Sequence, residues 1–306
     1  MPQFLFIFTA LNTCWYVSRK FVFDFDSTLT RVEALDVLAE ITLEGREDRD
    51  AIIREIQQIT NLGIDGDISF TESLERRIRL LGAHRKDLEP LIGMLREKIS
   101  KSIATNREFF EKFADDIYVI SCGFKEFIDP IVREYNIPEE RVFANTFEFD
   151  EQGRITGFDT ANVLASHNGK IECLRALDLE GEVQVIGDGY SDYVMREAGI
   201  AHKFFAYTEN VHREKAARNA DHIAPNLDEF LFVNDLPRNL SYPKNRIKIL
   251  LLENVHPAAF KNLSEDGFSV ELVKHSLPEE ELIEKIKGVH VLGIRSKTRV
   301  TKKVLD

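Results

Sequence analysis

The chain has too few cysteines to be held together by them. Cys14, Cys122 and Cys173 are an odd number with no CxxC spacing. That excludes a disulfide frame and a zinc knuckle, and it reads as three reduced thiols in a cytoplasmic protein. Basic residues are short too: 40 Lys and Arg stand against 52 Asp and Glu, a net charge of −12, and basic runs stop after a few residues. No nucleic-acid surface is expected from that balance. Membrane-length apolar runs are also missing. The stretch from Phe4 to Val17 is interrupted by Asn12 and Thr13, is too short to span a bilayer comfortably, and has no basic region ahead of it. Residues 1–19 therefore read as an apolar extension before the fold, either an over-extended start or leader or a weak anchor. A membrane is not expected as a partner. No internal repeat or low-complexity tract is evident.

What is present is ample core material. The 306 residues are 43% hydrophobic and 30% charged, the composition of one or two globular domains. Arg31 to about Phe113 reads helical, with apolar spacing such as Leu74, Ile78 and Leu81. A break falls at Gly63–Asp67, and Ser69 or Thr71 is able to cap the helix after it. Strands and helices then alternate. Ile117–Ile120 reads as a strand followed by a helix from Lys125. Phe143–Phe158 reads as a hairpin turning at Asp150–Gly153, and Val183–Ile186 as a strand before a helix from Asp192. The alternation predicts a doubly wound α/β fold with a mostly parallel sheet, whose ligands bind beyond the carboxyl ends of the strands. Residues 234–245, with Pro237 and Pro243, read as a linker. From 246 a second α/β unit is expected: strands 247–252, 268–273 and 289–294, helices 257–266 and 278–287, and a helical start at Thr298.

Polar motifs sit at the strand ends. Asp24 and Asp26 follow the apolar run Phe21–Phe23, one residue apart but for Phe25, so strand alternation aims both the same way. Burying two like charges without relief is costly, which implies a cation or a shared proton. Ser121-Cys122-Gly123 follows the second strand, where a hydroxyl and loop amides suit a phosphate oxygen. Asn168-Gly169-Lys170 opens a helix. Gly187-Asp188-Gly189-Tyr190-Ser191-Asp192 follows the next strand, and its two acids, four apart, can reach one hard cation. The residues alone leave Glu33 as a helix-face acid and Arg77 as a surface arginine in a charged run.

Taken in this order, the four motifs resemble the haloacid-dehalogenase superfamily, and residues 20–233 resemble its phosphoserine phosphatases. The resemblance implies a Rossmann-like sheet with a helical cap, about residues 32–105, inserted after strand one. It implies Asp24 as nucleophile and Asp26 as general acid and base. Mg²⁺ would be held by Asp24, the Asp26 carbonyl and Asp188, with Asp192 orienting ligands from nearby. Glu33 would meet the serine ammonium and Arg77 the carboxylate; Phe70, Ser121, Gly123 and Ser191 would complete the substrate site. The family's motif-three lysine falls on Asn168, so either Lys170 takes its place through a shifted loop or the phosphoryl charge is less well met. The implied reaction is hydrolysis of O-phospho-L-serine in serine biosynthesis. A regulatory phosphoserine-binding module and a phosphatase or phosphotransferase for another small phosphomonoester stay open, as does a homodimer.

The C-terminal stretch Ile247–Pro257, with Gly293-Ile294-Arg295-Ser296-Lys297-Thr298, resembles the opening of D-3-phosphoglycerate dehydrogenases. There Arg295 to Thr298 match the loop that contacts the phosphorylated acid. Residues 246–306 are expected to be a partial, flavodoxin-like substrate domain. No GxGxxG or catalytic histidine follows, so no hydride transfer is expected from this chain.

Overall fold

The structure, a computed structural model, describes residues 18–65, 67–238 and 247–305. The apolar extension and most of the linker read from the sequence lie outside the described residues. Two compact units are present, Met1–Asn239 and Leu240–Asp306.

The first unit begins with β1 (Arg19–Phe23), then α1 (Ala34–Thr42), α2 (Arg49–Asp65), α3 (Phe70–Leu81), α4 (Leu88–Glu97), α5 (Lys101–Thr105) and α6 (Arg107–Lys112). It continues with β2 (Ile117–Phe124), α7 (Lys125–Val132), β3 (Val142–Asn145), β4 (Phe147–Phe149), β5 (Ile155–Phe158), α8 (Gly169–Leu177) and β6 (Glu182–Gly187). It closes with α9 (Tyr190–Glu197), β7 (Lys203–Tyr207), α10 (Glu214–Asn219), β8 (His222–Ala224) and α11 (Leu227–Val233). Six strands form one parallel sheet in the order β3-β2-β1-β6-β7-β8. The chain winds outward through β2 and β3, then returns to wind the other way from β6. A crevice therefore opens beyond the carboxyl ends of β1 and β6, where the winding reverses.

Burial on both faces explains why β1 is central. Phe21, Val22 and Phe23 are fully buried. Phe21 and Phe23 meet Phe109 and Phe230 on one face, with Phe21 edge-on to Phe230 at a centroid distance of 5.7 Å. Val22 packs with Ile120, Leu174 and Phe204 on the other. Between β1 and β2 the helices form a cap, joined to the core where Thr30 and Ile99 pair in antiparallel fashion. The crossing is closed by Arg31 N–H to Lys98 O (2.7 Å) and Ser100 N–H to Leu29 O (2.9 Å). Past it, α5 packs on α11, on the core side.

Two local expectations are resolved. Ser69 caps α3, accepting from the Glu72 amide at 3.1 Å, while Thr71 donates to the Ala165 carbonyl at 2.6 Å and ties the cap to the core. The hairpin is shorter than the sequence suggests. It spans β4 and β5 only, because Val142, Ala144 and Asn145 are buried and β3 joins the main sheet parallel to β2. Both faces of β3 are covered, so it behaves as a sheet strand. Among the described residues no helix is long and apolar enough to cross a membrane.

The second unit holds β9 (Lys248–Leu251), α12 (Pro257–Glu265), β10 (Ser269–Leu272), α13 (Glu279–Lys285), β11 (Val291–Gly293) and α14 (Lys302–Leu305). Its parallel sheet has the order β10-β9-β11, over a small core of Leu250, Leu252, Leu277, Leu282 and Val304. The helix expected from Thr298 starts instead at Lys302, because the preceding amides are engaged elsewhere. The Glu253 carboxylate accepts from Ser296 N–H (2.8 Å), Lys297 N–H (2.9 Å) and Thr298 N–H. Glu253 and Asn254 take φ of 62° and 51°, a left-handed turn that aims the carboxylate at the loop.

Desolvation works against this charge, but the hydrogen bonds from Thr298, Lys297 and Ser296 outweigh it and hold the Glu253 carboxyl at about 2, below its ordinary 4.5. A depressed carboxylate pKa contributes stability that is complete above 4.5 and is lost as pH falls through about 2. The Ser296 and Thr298 amide resonances should therefore stay fixed from neutral pH to about 4.5 and move as pH approaches 2. In Glu253→Gln that titration should vanish and the loop should be loosened already at neutral pH, which ¹⁵N NMR of the full chain reads directly.

Candidate active site

Asp24 leaves the end of β1 with its amide bonded to Ile186 O at 3.0 Å, which locks it beside β6. The chain then makes one wide turn, closed by Thr30 N–H to Phe25 O (3.0 Å), with Phe25 buried in the core. Ser27 within it takes φ 56°, a left-handed conformation that costs about a kcal/mol or more in a residue with a side chain. The turn lets the Ser27 hydroxyl donate to Glu33 Oε1 at 2.8 Å. Asp26 Oδ1 accepts from the Ala34 amide at the start of α1 (2.8 Å).

Lys170 is at the centre. Its side chain is 4% exposed, and its Nζ lies 2.9 Å from Asp24 Oδ1 and 2.6 Å from Asp192 Oδ1. The phase of α8 decides this, and a glycine sets the phase. A Cβ on Gly169 would fall 2.4 Å from the Val163 carbonyl oxygen, so only glycine lets the helix start seat against the 163–165 turn. Asn168 is the exposed residue ahead of the helix, and Lys170 turns inward. Of the two residues left open by the sequence, it is Lys170 and not Asn168 that meets Asp24.

Asp192 is fully buried, accepting from Lys170 through Oδ1 and from the Gly189 amide (3.0 Å) through Oδ2. A Cβ on Gly187 would sit 2.3 Å from the Asp192 carboxylate, so the glycine before Asp188 is the space that Asp192 occupies. Carboxylate oxygens of Asp24, Asp188 and Asp192 all lie within 4.8 Å of one another. Oxygens around a Mg²⁺ held at about 2.1 Å are roughly 3–4 Å apart, so these buried oxygens fit a small hard cation with modest adjustment. Burial, abetted by Asp24, lifts the Asp188 carboxyl to about 6, and burial lifts that of Asp192 to about 7 in spite of Lys170. Desolvation also opposes the Lys170 charge, yet Asp192 and Asp24 outweigh it and raise the ammonium well above its ordinary range. Lys170 is therefore charged, and the crowding of acids is relieved further by any divalent ion.

Ser121 is buried in the second half of β2, its Oγ accepting from Gly123 N–H at 3.0 Å. A Cβ on Gly123 would lie 3.3 Å from Asp26 Oδ2, so the second motif meets the first. Burial raises Asp26 well above the carboxylate range, helped by Glu33 and opposed by the Ala34 amide. Burial also pushes the Cys122 thiol up to about 12, so a neutral thiol borders the site.

On the cap side a cavity of about 410 Å³ is lined by Ser27, Glu33, Asp36 and Arg213, with Ile53 and Ile56 of α2 opposite. Glu33 lies deep in the fold but on the cavity wall, so its side chain keeps 37% of its exposure. Burial raises its carboxyl while Ser27 and Arg213 pull it down. Arg77 on α3 feels Glu33, Asp36 and Asp26, which oppose the burial that lowers its guanidinium. Phe70, at the start of α3, is half-buried against the core. Ser191 is exposed on the first turn of α9.

Sequence reasoning misses Arg213. Its Nε donates to Asp188 Oδ2 (2.6 Å) and its NH2 to Glu33 Oε1 (3.3 Å), bridging the core acid and the cap acid. A signal for it exists: Phe204–Tyr207 is a buried run, and Arg213 lies on the loop past its carboxyl end, as the other site residues lie past theirs.

Residues 249–306 match the model for the catalytic domain of D-isomer specific 2-hydroxyacid dehydrogenases. Over 66 residues the chain is 65% identical to D-3-phosphoglycerate dehydrogenase of Dictyostelium discoideum, covering 22% of this chain and 16% of that protein. The chain thus spans about a sixth of the length of that relative. The C-terminal unit is thus similar to part of a D-3-phosphoglycerate dehydrogenase. For the first unit, a chloroplastic phosphoserine phosphatase of Arabidopsis thaliana is 29% identical over 210 residues, 68% of each chain. A solved phosphoserine phosphohydrolase-like protein from Francisella tularensis superposes with a TM-score of 0.63 at 31% identity, covering 70% of this chain and 99% of that one. Residues 21–197, more than half of the chain, match the model for haloacid dehalogenase-like hydrolases, and with Asp24, Lys170 and the Asp188–Asp192 loop gathered at one crevice the chain belongs to that family.

Proposed function

We propose that the first unit hydrolyses O-phospho-L-serine to L-serine and phosphate through an aspartyl-phosphate on Asp24. The observation that carries this reading is the buried Lys170 bridging Asp24 and Asp192. A module that only binds phosphoserine has no need of a lysine held against a nucleophile, so this favours an enzyme over a regulatory module.

Asp24 attacks phosphorus in line, and the bond to the serine oxygen breaks. Asp26, whose raised pKa keeps a proton available, protonates that oxygen as it leaves, then takes a proton from the water that opens the acyl phosphate. Lys170 offsets the charge where two anions meet, and Ser121, whose Oγ accepts from the Gly123 amide, donates its hydroxyl proton to a phosphoryl oxygen. Glu33 takes the substrate ammonium and Arg77 its carboxylate, which fixes the phosphoryl group against Asp24. Asp24, Asp188 and the Asp26 carbonyl would hold Mg²⁺, with Asp192 beside them, and the ion when bound would supply charge relief at the phosphoryl oxygens. A cytoplasmic location and a place in serine biosynthesis belong to this reading. The relatives of the two units, a phosphoserine phosphatase and a D-3-phosphoglycerate dehydrogenase, support the latter jointly.

Phosphate release from a panel of phosphomonoesters, with Mg²⁺ and with chelator, tests the reading. O-phosphoserine should be preferred, and turnover should stop with chelator or in Asp24→Asn; parental rates in that variant would remove Asp24 as nucleophile. Arg77→Ala should weaken turnover of phosphoserine far more than that of an aryl phosphate, since only the former has a carboxylate to hold. Lys170→Ala should lower turnover about a hundredfold or more, the cost of a charge-assisted contact in a dry site. Asn168→Lys should change little, because that side chain faces solvent.

A further inference from the structure

The loop after β7 is tied to the cap junction by a second polar network, separate from the reacting acids. Asn210 Nδ2 donates to Ser27 O (3.0 Å), Thr30 O (3.3 Å) and Ser100 Oγ (2.7 Å). Ser27 and Thr30 lie on the segment that leaves the core for the cap, and Ser100 on the segment that returns. Ser100 is fully buried and passes its own proton to Thr28 O at 2.6 Å. One residue earlier, the Glu209 carboxylate accepts from the Ser102 amide at the start of α5 (3.1 Å) and from the Tyr207 hydroxyl (2.5 Å), which fastens the loop to the core.

We propose that Asn210 is a positioning residue that pins the cap junction and thereby holds Ser27 and Glu33 at the substrate-ammonium position. An amide side chain shares two N–H donors among these three contacts, and its neighbours offer only acceptors: two carbonyls and a hydroxyl whose proton is already committed. The Ser27 carbonyl held by Asn210 belongs to the same residue whose hydroxyl orients Glu33, so a loosened junction moves the carboxylate directly. The left-handed Ser27 is a conformation that does not persist without outside support, and Asn210 supplies it. Asn210 touches no reacting atom. Its effect should fall on substrates that use Glu33 and spare those that do not.

This inference rests on the phosphoserine reading for its kinetic arm only. The other arm is hydrogen exchange on the protein alone. In Asn210→Ala the Arg31 and Ser100 amides, which close the junction, should exchange about tenfold faster or more, while amides of β1 and β6 keep their protection. Asn210→Asp keeps the shape but turns a carboxylate toward two carbonyl oxygens, so it should loosen the junction at least as much as alanine does. In both variants KM for O-phosphoserine should rise about tenfold, with turnover of an aryl phosphate changed less than about threefold. Unchanged exchange at Arg31 and Ser100 would overturn the pinning. Faster exchange with equal losses on both substrates would overturn the positioning of Glu33. If the parent protein releases no phosphate from phosphoserine, the proposed function fails and the exchange arm alone decides the role of Asn210.

Discussion

A buried ammonium between two buried carboxylates organises the first unit. Lys170 has almost no access to water, and neither do Asp24 and Asp192. The ammonium cannot be charged there without a carboxylate beside it, since a single ion at that depth would carry an uncompensated desolvation cost of several kcal/mol. The three come from different parts of the chain: the end of β1, the start of α8 and the start of α9. Their mutual need fixes how those segments meet beyond the sheet. The same need keeps the acids dry and crowded, the state in which a divalent ion and a phosphoryl group find most to do.

The backbone around this triad is shaped to admit it. Gly169 lets α8 approach the 163–165 turn closely enough to rotate Lys170 inward, and Gly187 vacates the volume that the Asp192 carboxylate fills. Ser27 is the exception, a residue with a side chain in a glycine-like conformation, and it is held by bonds to both Glu33 and Asn210. Space is given where a side chain must pass, and strain is accepted where a side chain must be aimed.

The extent to which the sequence discloses all this is set by the reach of local pattern. The apolar run before Asp24, the helical periodicity of the cap and the strand-end acids are short-range signals, and each marks a real element. The hairpin reads too long because Val142–Asn145 runs on into β4 with no turn signal between them, while its burial comes from β2 and from the 163–165 turn, outside the segment itself. The motif alone leaves the orientation of Lys170 open because helical phase depends on where α8 begins. That start is set by the close approach of Gly169 to Val163, a contact the motif does not disclose by itself. Arg213 and Asn210 escape sequence reading for a related reason. Their partners are more than a hundred residues earlier for Ser27, Glu33 and Ser100, and a lone Asn or Arg on a loop has no periodicity to betray it.

The C-terminal unit carries a consequence of its own. Three consecutive amides facing one way make a cradle that an anionic ligand would ordinarily use, but in the 296–298 loop the chain's own Glu253 has already filled it. Any phosphate or carboxylate drawn to this loop would be met by the exposed side chains of Arg295 and Lys297 instead. Attraction of that kind acts at a distance and fades over about 8 Å at physiological ionic strength, so it would gather anions without sorting them.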